Sequence, residues 1–375
     1  MTTLYQNAKI CTPDGFEVRD FAVSDGLVAA VDSADQTVDL AEKIVAPGYV
    51  DVHIHGAFGV DCIDADGAVA TMAKGLPRHG VTGFFPTLLT APLPQMRTAF
   101  AQAADLMRRP AGGAKVMGVH SEGPFFTAAK AGAQPRESLL LPSVDALTEI
   151  IQDDPTAMAK LSLAAELPGG TAVIEFCRQN NIVASLGHTE ATYEQAVALF
   201  AAGVSCVTHL YNAMSPLHHR SPGPIAAALL SQNVVVELIA DGIHIHPAML
   251  QLAVGLAGAR CVLVSDAMMG AGLPEGEYML GPNQVFVRDG AARLADGVLA
   301  GSVLTLDVAV RNMAAWGVPL HQAISMAAIR PRVLHDLPTQ TLTPGQPADF
   351  VVLDSAANVV QTVVDGRVVY AQGQS

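Results

Sequence analysis

The feature that most constrains this chain is a repeated pairing. An apolar, β-type run closes on a polar residue, often a histidine or a carboxylate, and a helical stretch, often alanine-rich, follows it. Candidate strands are Val50–His55, Gly83–Thr87, Lys115–Glu122, Leu161–Glu166, Ile182–His188, Cys206–His209, Val234–Asp241 and Cys261–Asp266. Between them lie helix-like segments such as Tyr193–Ala202, which Thr189 or Thr192 can cap, and Pro247–Leu256. Eight parallel-type strands separated by helices fit a (β/α)8 barrel over residues 48–340. A doubly wound sheet would alternate in the same way. The positions of the reactive residues favour the barrel: His55, Glu122, His188, His209, Asp241 and Asp266 each end an apolar run, and barrel enzymes assemble their sites at the C-terminal ends of their strands.

The two ends of the chain read differently. Up to Pro47 the pattern is short strands with turn punctuation, as at Thr12-Pro13-Asp14-Gly15, Ser24-Asp25-Gly26 and the alternating Phe21–Val31 stretch. The last residues repeat it: Asp349–Leu353, Val359–Val364, a turn at Asp365-Gly366, and Arg367–Tyr370. The expected fold is therefore α/β, a (β/α)8 TIM-type barrel at 48–340 with a small β-sandwich domain built jointly from 1–47 and 341–375.

Composition excludes several classes. Half the residues are hydrophobic and only 15% charged, so a large buried core is feasible and disorder is not expected. The mean hydropathy of +0.34 raises the question of a membrane. No run reaches the roughly 18 apolar residues of a spanning helix, because Gln251 and Arg260 interrupt even Met249–Val264. The opening MTTLYQNAKICTPDG lacks the basic and apolar regions of a signal peptide, so a soluble, cytoplasmic protein is expected. A net charge of −14 argues against nucleic-acid binding and means that an anionic ligand would need a local cation. The five cysteines, an odd number without CxxC, read as buried or free thiols in a reducing compartment.

Five strings carry candidate chemistry. In Asp51-Val52-His53-Ile54-His55-Gly56 the imidazoles are two residues apart, so on a strand they share a face and can meet one metal. Alone, the pair reads equally well as polar residues at a barrel mouth. In Gly118-Val119-His120-Ser121-Glu122-Gly123-Pro124 a strand-end carboxylate could ligate one metal or bridge two, or sit solvated in a turn. Ser185-Leu186-Gly187-His188-Thr189 and Thr208-His209-Leu210-Tyr211-Asn212-Ala213-Met214 each place a histidine after an apolar strand. One such histidine is more often packed or capping. Two at matching positions, joined by Glu122, make a three-ligand set with an open position for water. Asp266, closing Val262-Leu263-Val264-Ser265, could cap the next helix or act as general base and then acid beside that water. His218-His219-Arg220 and Asp241-Gly242-Ile243-His244-Ile245-His246 could serve a phosphate or sugar hydroxyls, or be ordinary polar loops. Glu166 stays undecided, and Met269-Gly270-Ala271-Gly272 lacks the strand–turn–helix context of a dinucleotide motif.

Taken together, the strings PGYVDVHIHG, HSEGPF, SLGHT, THLYNAMSPL, ADGIHIHP, LVSDAM and LAGS, with ADFVVLD near the end, resemble the amidohydrolase superfamily and, within it, the N-acetylglucosamine-6-phosphate deacetylases. They span nearly the whole chain in the family's order. HSEGPF and THLYNAM are the specific ones; HIH and ADFVVLD are shared across the superfamily. The resemblance implies a metal-dependent enzyme of amino-sugar catabolism. It would hydrolyse the N-acetyl group of N-acetylglucosamine 6-phosphate, or of a close N-acetyl-hexosamine 6-phosphate, to the amino-sugar 6-phosphate and acetate. It implies metal ligands at Glu122, His188 and His209 and a catalytic Asp266. Some members lack the first-strand histidines and use one ion; His53 and His55 are kept here and allow a second. Zinc is the first expectation, with iron, manganese or cobalt as alternatives. Substrate contacts are implied at Ala133, Gln134, Asn212, Ala213, Arg220, Asp241, His244, Leu299, Ala300 and Gly301. A homodimer is implied, with Arg220 and His244 reaching across the interface to a neighbour's substrate. Some members have a histidine where Gln134 stands, which leaves open the group that polarises the acetyl carbonyl.

Two other functions compete. A dihydroorotase-like cyclic-amide hydrolase would usually carry a modified lysine on the fourth strand, but Leu161-Ser162-Leu163-Ala164-Ala165-Glu166 has none and Lys160 lies at the other end of the run. A catalytically inactive sugar-phosphate-binding protein would be expected to lose ligands or the base, and Glu122, His188, His209 and Asp266 are all present.

Overall fold

The computed structural model describes residues 1–30, 34–64, 67–152, 154–339 and 341–373. Eight parallel strands ring the barrel: Tyr49–Ile54, Val81–Leu89, Val119–Glu122, Met158–Leu163, Val183–Leu186, Cys206–Val207, Val235–Ile239 and Cys261–Val264; a short ninth, Lys115–Val116, pairs with Val81–Leu89 just before the third. A parallel bridge between Ile54 and Ala267 returns the eighth strand to the first. There the Asp266 amide donates to the His53 carbonyl at 2.9 Å. A doubly wound sheet would leave those edges apart, so the expected barrel is the fold. The strands are apolar on both faces because helices cover the outside and side chains fill the inside. In Val81–Leu89 every residue is buried.

Local chemistry sets where helices begin. Of the two threonines before Tyr193–Ala202, Thr192 is the cap, and it forms a reciprocal capping box with Gln195. Pro247, which has no N–H to lose, opens Pro247–Ala257.

The chain ends meet in one eight-stranded sheet. It contains Thr2–Thr12, Gly15–Ser24, Leu27–Ala29, Gln36–Asp39 and Ile44–Pro47, with Phe350–Leu353, Val359–Val364 and Arg367–Ala371. Ile44–Pro47 pairs antiparallel with Phe350–Leu353, which joins the termini. Tyr5 stacks on Phe21 at 4.9 Å, and both meet Phe350 edge-on, at 5.4 and 5.3 Å. Two tight hairpins turn at Asp25-Gly26 and Asp365-Gly366, where φ is positive at both positions (51° and 80°, 47° and 71°). A two-residue turn that matches the strand twist requires this. Val31, at the end of the expected Phe21–Val31 stretch, lies outside the described residues.

The strands differ from expectation mainly at their ends. They stop before the reactive residues: Cys206–Val207 ends before His209, Val183–Leu186 before His188, and Cys261–Val264 before Asp266. His188, His209 and Asp266 have φ of 47°, 30° and 49°, a left-handed backbone that leaves the ladder and turns each side chain over the rim. The fourth strand begins three residues early, at Met158, and so takes in Lys160. After the eighth strand comes an unanticipated antiparallel sheet of Gly276–Leu280, Asn283–Arg288 and Ala291–Arg293. No helix among the described residues is long and apolar enough to cross a membrane.

Candidate metal centre and active site

Six buried side chains converge at the C-terminal mouth of the barrel as two groups: Glu122, His188 and His209, and His53, His55 and Asp266. Within each group the ligand atoms lie within 4.8 Å of one another. Glu122 Oε1 is 3.2 Å from His188 Nε2 and 3.0 Å from His209 Nε2. Asp266 Oδ1 is 3.3 Å from the Nε2 of both His53 and His55. Glu122 joins the groups, because its Oε2 lies 3.2 Å from His55 Nε2 and its Oε1 3.4 Å from His53 Nε2.

The far nitrogens orient the rings. His55 Nδ1 meets the Thr87 carbonyl at 3.2 Å, His188 Nδ1 the Lys130 carbonyl at 2.7 Å, and His53 Nδ1 the Glu237 carboxylate at 3.4 Å. An oxygen without a proton can only accept, so with a cation at the centre each Nδ1 would donate and each Nε2 would offer its lone pair. His209 Nδ1 is buried without a partner among the described residues.

The charges also favour a cation. Burial alone would raise both carboxyls. Against it, His53 and the hydrogen bonds from His188, His209 and His55 hold Glu122 well below the usual carboxylate range. His53 and His55 likewise bring Asp266 down to about 2. Burial opposes a charge on His55, yet Asp266 and Glu122 push it well above the usual imidazole range. Imidazole nitrogens and carboxylate oxygens, buried and without thiolate, make a donor set that fits a divalent first-row ion.

Below the mouth the barrel interior is unusually polar, where valine, isoleucine and leucine are the common filling. His120 Nε2 meets Ser162 Oγ at 2.8 Å, and Thr208 Oγ1 lies 2.7 Å from Ser162 Oγ and 2.6 Å from Ser185 Oγ. Lys160 is ion-paired to Glu237, with both side chains fully buried. Burial would raise Glu237, but Lys160 and His53 hold it at about 2.

Above the centre opens a cavity of about 470 Å³, a size suited to one small ligand. His55, Glu122, His188, His209 and Asp266 face it, with Ala133, Gln134, Asn212, Ala213, His244, Leu299 and Gly301 on its walls. The other expected residues lie elsewhere. His53 sits beneath the cavity, and Ala300 is packed in a small core with Met268 and Leu280. Asp241 holds His244, with Oδ2 2.6 Å from its Nδ1. Arg220 is exposed on the Leu217–Arg220 loop and is absent from the cavity wall. His244, expected to serve a neighbour, lines the cavity of its own chain. Gln134 has both polar ends occupied: Nε2 donates to Glu122 Oε2 at 2.6 Å, and Oε1 accepts from the Thr90 amide at 2.9 Å.

Several residues at the site escaped the sequence reading. Lys130 and Arg293 bring positive charge to the cavity wall, and Leu280 closes part of it. Arg293 and Leu280 belong to the unanticipated antiparallel sheet, which the turn residues Gly281-Pro282 and Asp289-Gly290 could have revealed. The signal for Lys160 and Glu237 was a lone charge inside an apolar run, in MAKLSL and VVELI.

The sequence model of the amidohydrolase family matches residues 44–369. The chain is 37% identical to the N-acetylgalactosamine-6-phosphate deacetylase of Escherichia coli O157:H7, over 98% of this chain and 99% of the relative. It is also 37% identical to the N-acetylglucosamine-6-phosphate deacetylase of Vibrio furnissii, over 92% and 89%. Among solved structures, it superposes on a Mycobacterium smegmatis N-acetyl-D-glucosamine-6-phosphate deacetylase variant, solved in complex with N-acetyl-D-glucosamine-6-phosphate. There the TM-score is 0.91, with 29% identity and 99% of each chain covered. The Thermotoga maritima N-acetylglucosamine-6-phosphate deacetylase gives a TM-score of 0.89 at 33% identity, covering 98% of this chain and 100% of the other. With the barrel closed, the ligand groups at its mouth and these matches along nearly its whole length, the chain belongs to the amidohydrolase family.

Proposed function

We propose that this protein removes the acetyl group from an N-acetyl-hexosamine 6-phosphate, with N-acetylglucosamine 6-phosphate as the first candidate. The observation that carries the reading is the pairing of the Glu122, His188 and His209 group with Asp266 at the floor of a single-ligand cavity. Relatives named for the glucosamine and the galactosamine substrates match equally, at 37%, so the epimer is left to assay.

A divalent ion at Glu122, His188 and His209, with zinc first and a second ion allowed at His53, His55 and Asp266, would polarise the amide carbonyl and acidify the attacking water. Asp266, ionised, accepts the proton of that water and returns it to the departing amine as the C–N bond breaks. Gln134 holds one oxygen of Glu122 still rather than reaching for substrate. Lys130 and Arg293 supply local positive charge for the phosphate in a protein of net charge −14. The reading includes a homodimer in which Arg220 enters a neighbour's site. In support, its guanidinium makes no hydrogen bond or ion pair among the described residues and stands beside an exposed Leu217. It also includes a cytoplasmic location, and a division into a terminal unit, 1–47 with 341–375, and a barrel unit, 48–340. A cyclic-amide activity would want a lysine among the ligands, whereas Lys160 is paired to Glu237.

The test is acetate release from a panel of N-acetyl-hexosamines with and without a 6-phosphate. Turnover restricted to the phosphorylated members, abolished by chelation and restored by divalent metal, is expected. Full activity in a metal-free sample, or activity on cyclic amides alone, would overturn the reading.

A further inference from the structure

We propose that Glu237, neutralised by Lys160, is a positioning residue that fixes the ring of His53 and thereby builds the His53–His55–Asp266 half of the centre. The proposal rests on the metal reading above. The Lys160 and Glu237 side chains are both wholly buried, and they come from the fourth and seventh barrel strands to meet inside the barrel. Nothing in barrel closure calls for a charged pair there, since apolar side chains ordinarily fill that space.

Each oxygen of Glu237 has its own task. Oε1 takes the ion pair with Lys160 and a long contact from the Cys206 thiol at 3.8 Å. Oε2 faces His53 Nδ1 at 3.4 Å. With a cation at the centre, the His53 proton would lie on Nδ1, where the Glu237 carboxylate can accept it, and the Nε2 lone pair would point upward. There it meets His55 Nε2 at 3.3 Å, Asp266 Oδ1 at 3.3 Å and Glu122 Oε1 at 3.4 Å.

His53 differs in this from its neighbours. His55 and His188 are oriented by the carbonyls of Thr87 and Lys130, which any sequence with this backbone would provide. His53 alone among these three relies on a side chain. It is completely buried, so no bulk water can take the place of a lost acceptor. Lys160 is the counter-charge that lets a carboxylate occupy this dry interior.

The decisive comparison is between two double variants that both remove the charge pair, K160M/E237Q and K160M/E237L. They differ in whether an oxygen remains to accept from His53 Nδ1. Each is stripped of metal and titrated with Zn²⁺ alongside the wild type, and the imidazole tautomers of the metal-free proteins are read by ¹⁵N NMR. In the leucine variant the second equivalent of Zn²⁺ should bind about 10- to 100-fold more weakly, with the first equivalent changed far less. The share of His53 in the Nδ1–H form should also fall. The glutamine variant should keep the tautomer and most of the second-site affinity. Equal behaviour of the two in both measurements would overturn the proposal and leave the pair a packing feature. A wild type that never takes a second equivalent would instead sink the metal reading of His53, His55 and Asp266, while the tautomer comparison would still decide the role of Glu237.

Discussion

At the scale of single residues, the site depends on groups held in costly states. Asp266 is a carboxylate with a left-handed backbone, φ 49°, buried among imidazoles that keep it ionised. Asp266→Asn preserves the shape and removes the proton acceptor. Steady-state kinetics should therefore show turnover falling by about two to four orders of magnitude with KM little changed. Near-normal turnover would make Asp266 a structural element of the rim. Gln134 is satisfied at both ends and bridges the buried Thr90 amide to Glu122. Gln134→Ala strands the Thr90 N–H and frees one oxygen of Glu122. A loss of about 1–3 kcal/mol in denaturant unfolding is expected, together with weaker Zn²⁺ binding by titration. Lost stability with unchanged metal affinity would limit Gln134 to the fold.

At the scale of elements, the loops beyond the strand ends decide what the cavity offers a substrate. The antiparallel sheet of Gly276–Leu280, Asn283–Arg288 and Ala291–Arg293 carries one arginine to the cavity wall, and the Leu217–Arg220 loop carries another into solvent. The two make separable predictions. Arg293→Ala should raise KM for the 6-phosphate more than for the unphosphorylated sugar, acting within one chain. Arg220→Ala should do the same only if a neighbour's arginine enters the site. Mixing Arg220→Ala with Asp266→Asn subunits should then regenerate activity, because one hybrid site contains both intact residues. No recovery on mixing, or an equal effect on both substrates, would remove Arg220 from phosphate binding.

At the scale of the whole molecule, the ligands tie distant parts of the ring together. Glu122, His188, His209 and Asp266 end or follow the third, fifth, sixth and eighth strands, while His53 lies within the first and His55 just after it. An ion bound only by the folded barrel stabilises it by mass action, about 2.7 kcal/mol at a hundred times its dissociation constant. Chelation should lower the melting temperature by several degrees, and added Zn²⁺ should restore it in a concentration-dependent way. A melting temperature indifferent to both would argue against a metal held by this set. The terminal sheet should contribute independently. Phe350→Ala removes a ring packed edge-on against both Tyr5 and Phe21, at a cost of about 3–5 kcal/mol, and calorimetry should find Zn²⁺ affinity unaltered.

The barrel and the joined termini were legible in the chain because both depend on short-range pattern. Apolar runs, a capping threonine before Tyr193–Ala202, and Asp365-Gly366 at a hairpin specify their elements by local sterics and hydrogen bonding. The reactive residues at the ends of those runs were legible for the same reason, since each is adjacent in sequence to the strand that carries it. What only the tertiary structure decided depends on side chains meeting across the ring. The span of Glu122 over two groups, the grip of Gln134 on Glu122, the approach of Arg293 to the cavity and the Lys160–Glu237 pair under His53 all join residues that no periodicity relates. Lys160 shows the reason most plainly. In the sequence it is a charge at the start of an apolar run, and only closure of the barrel sets it against Glu237, 77 residues away, where burial makes the pair obligatory.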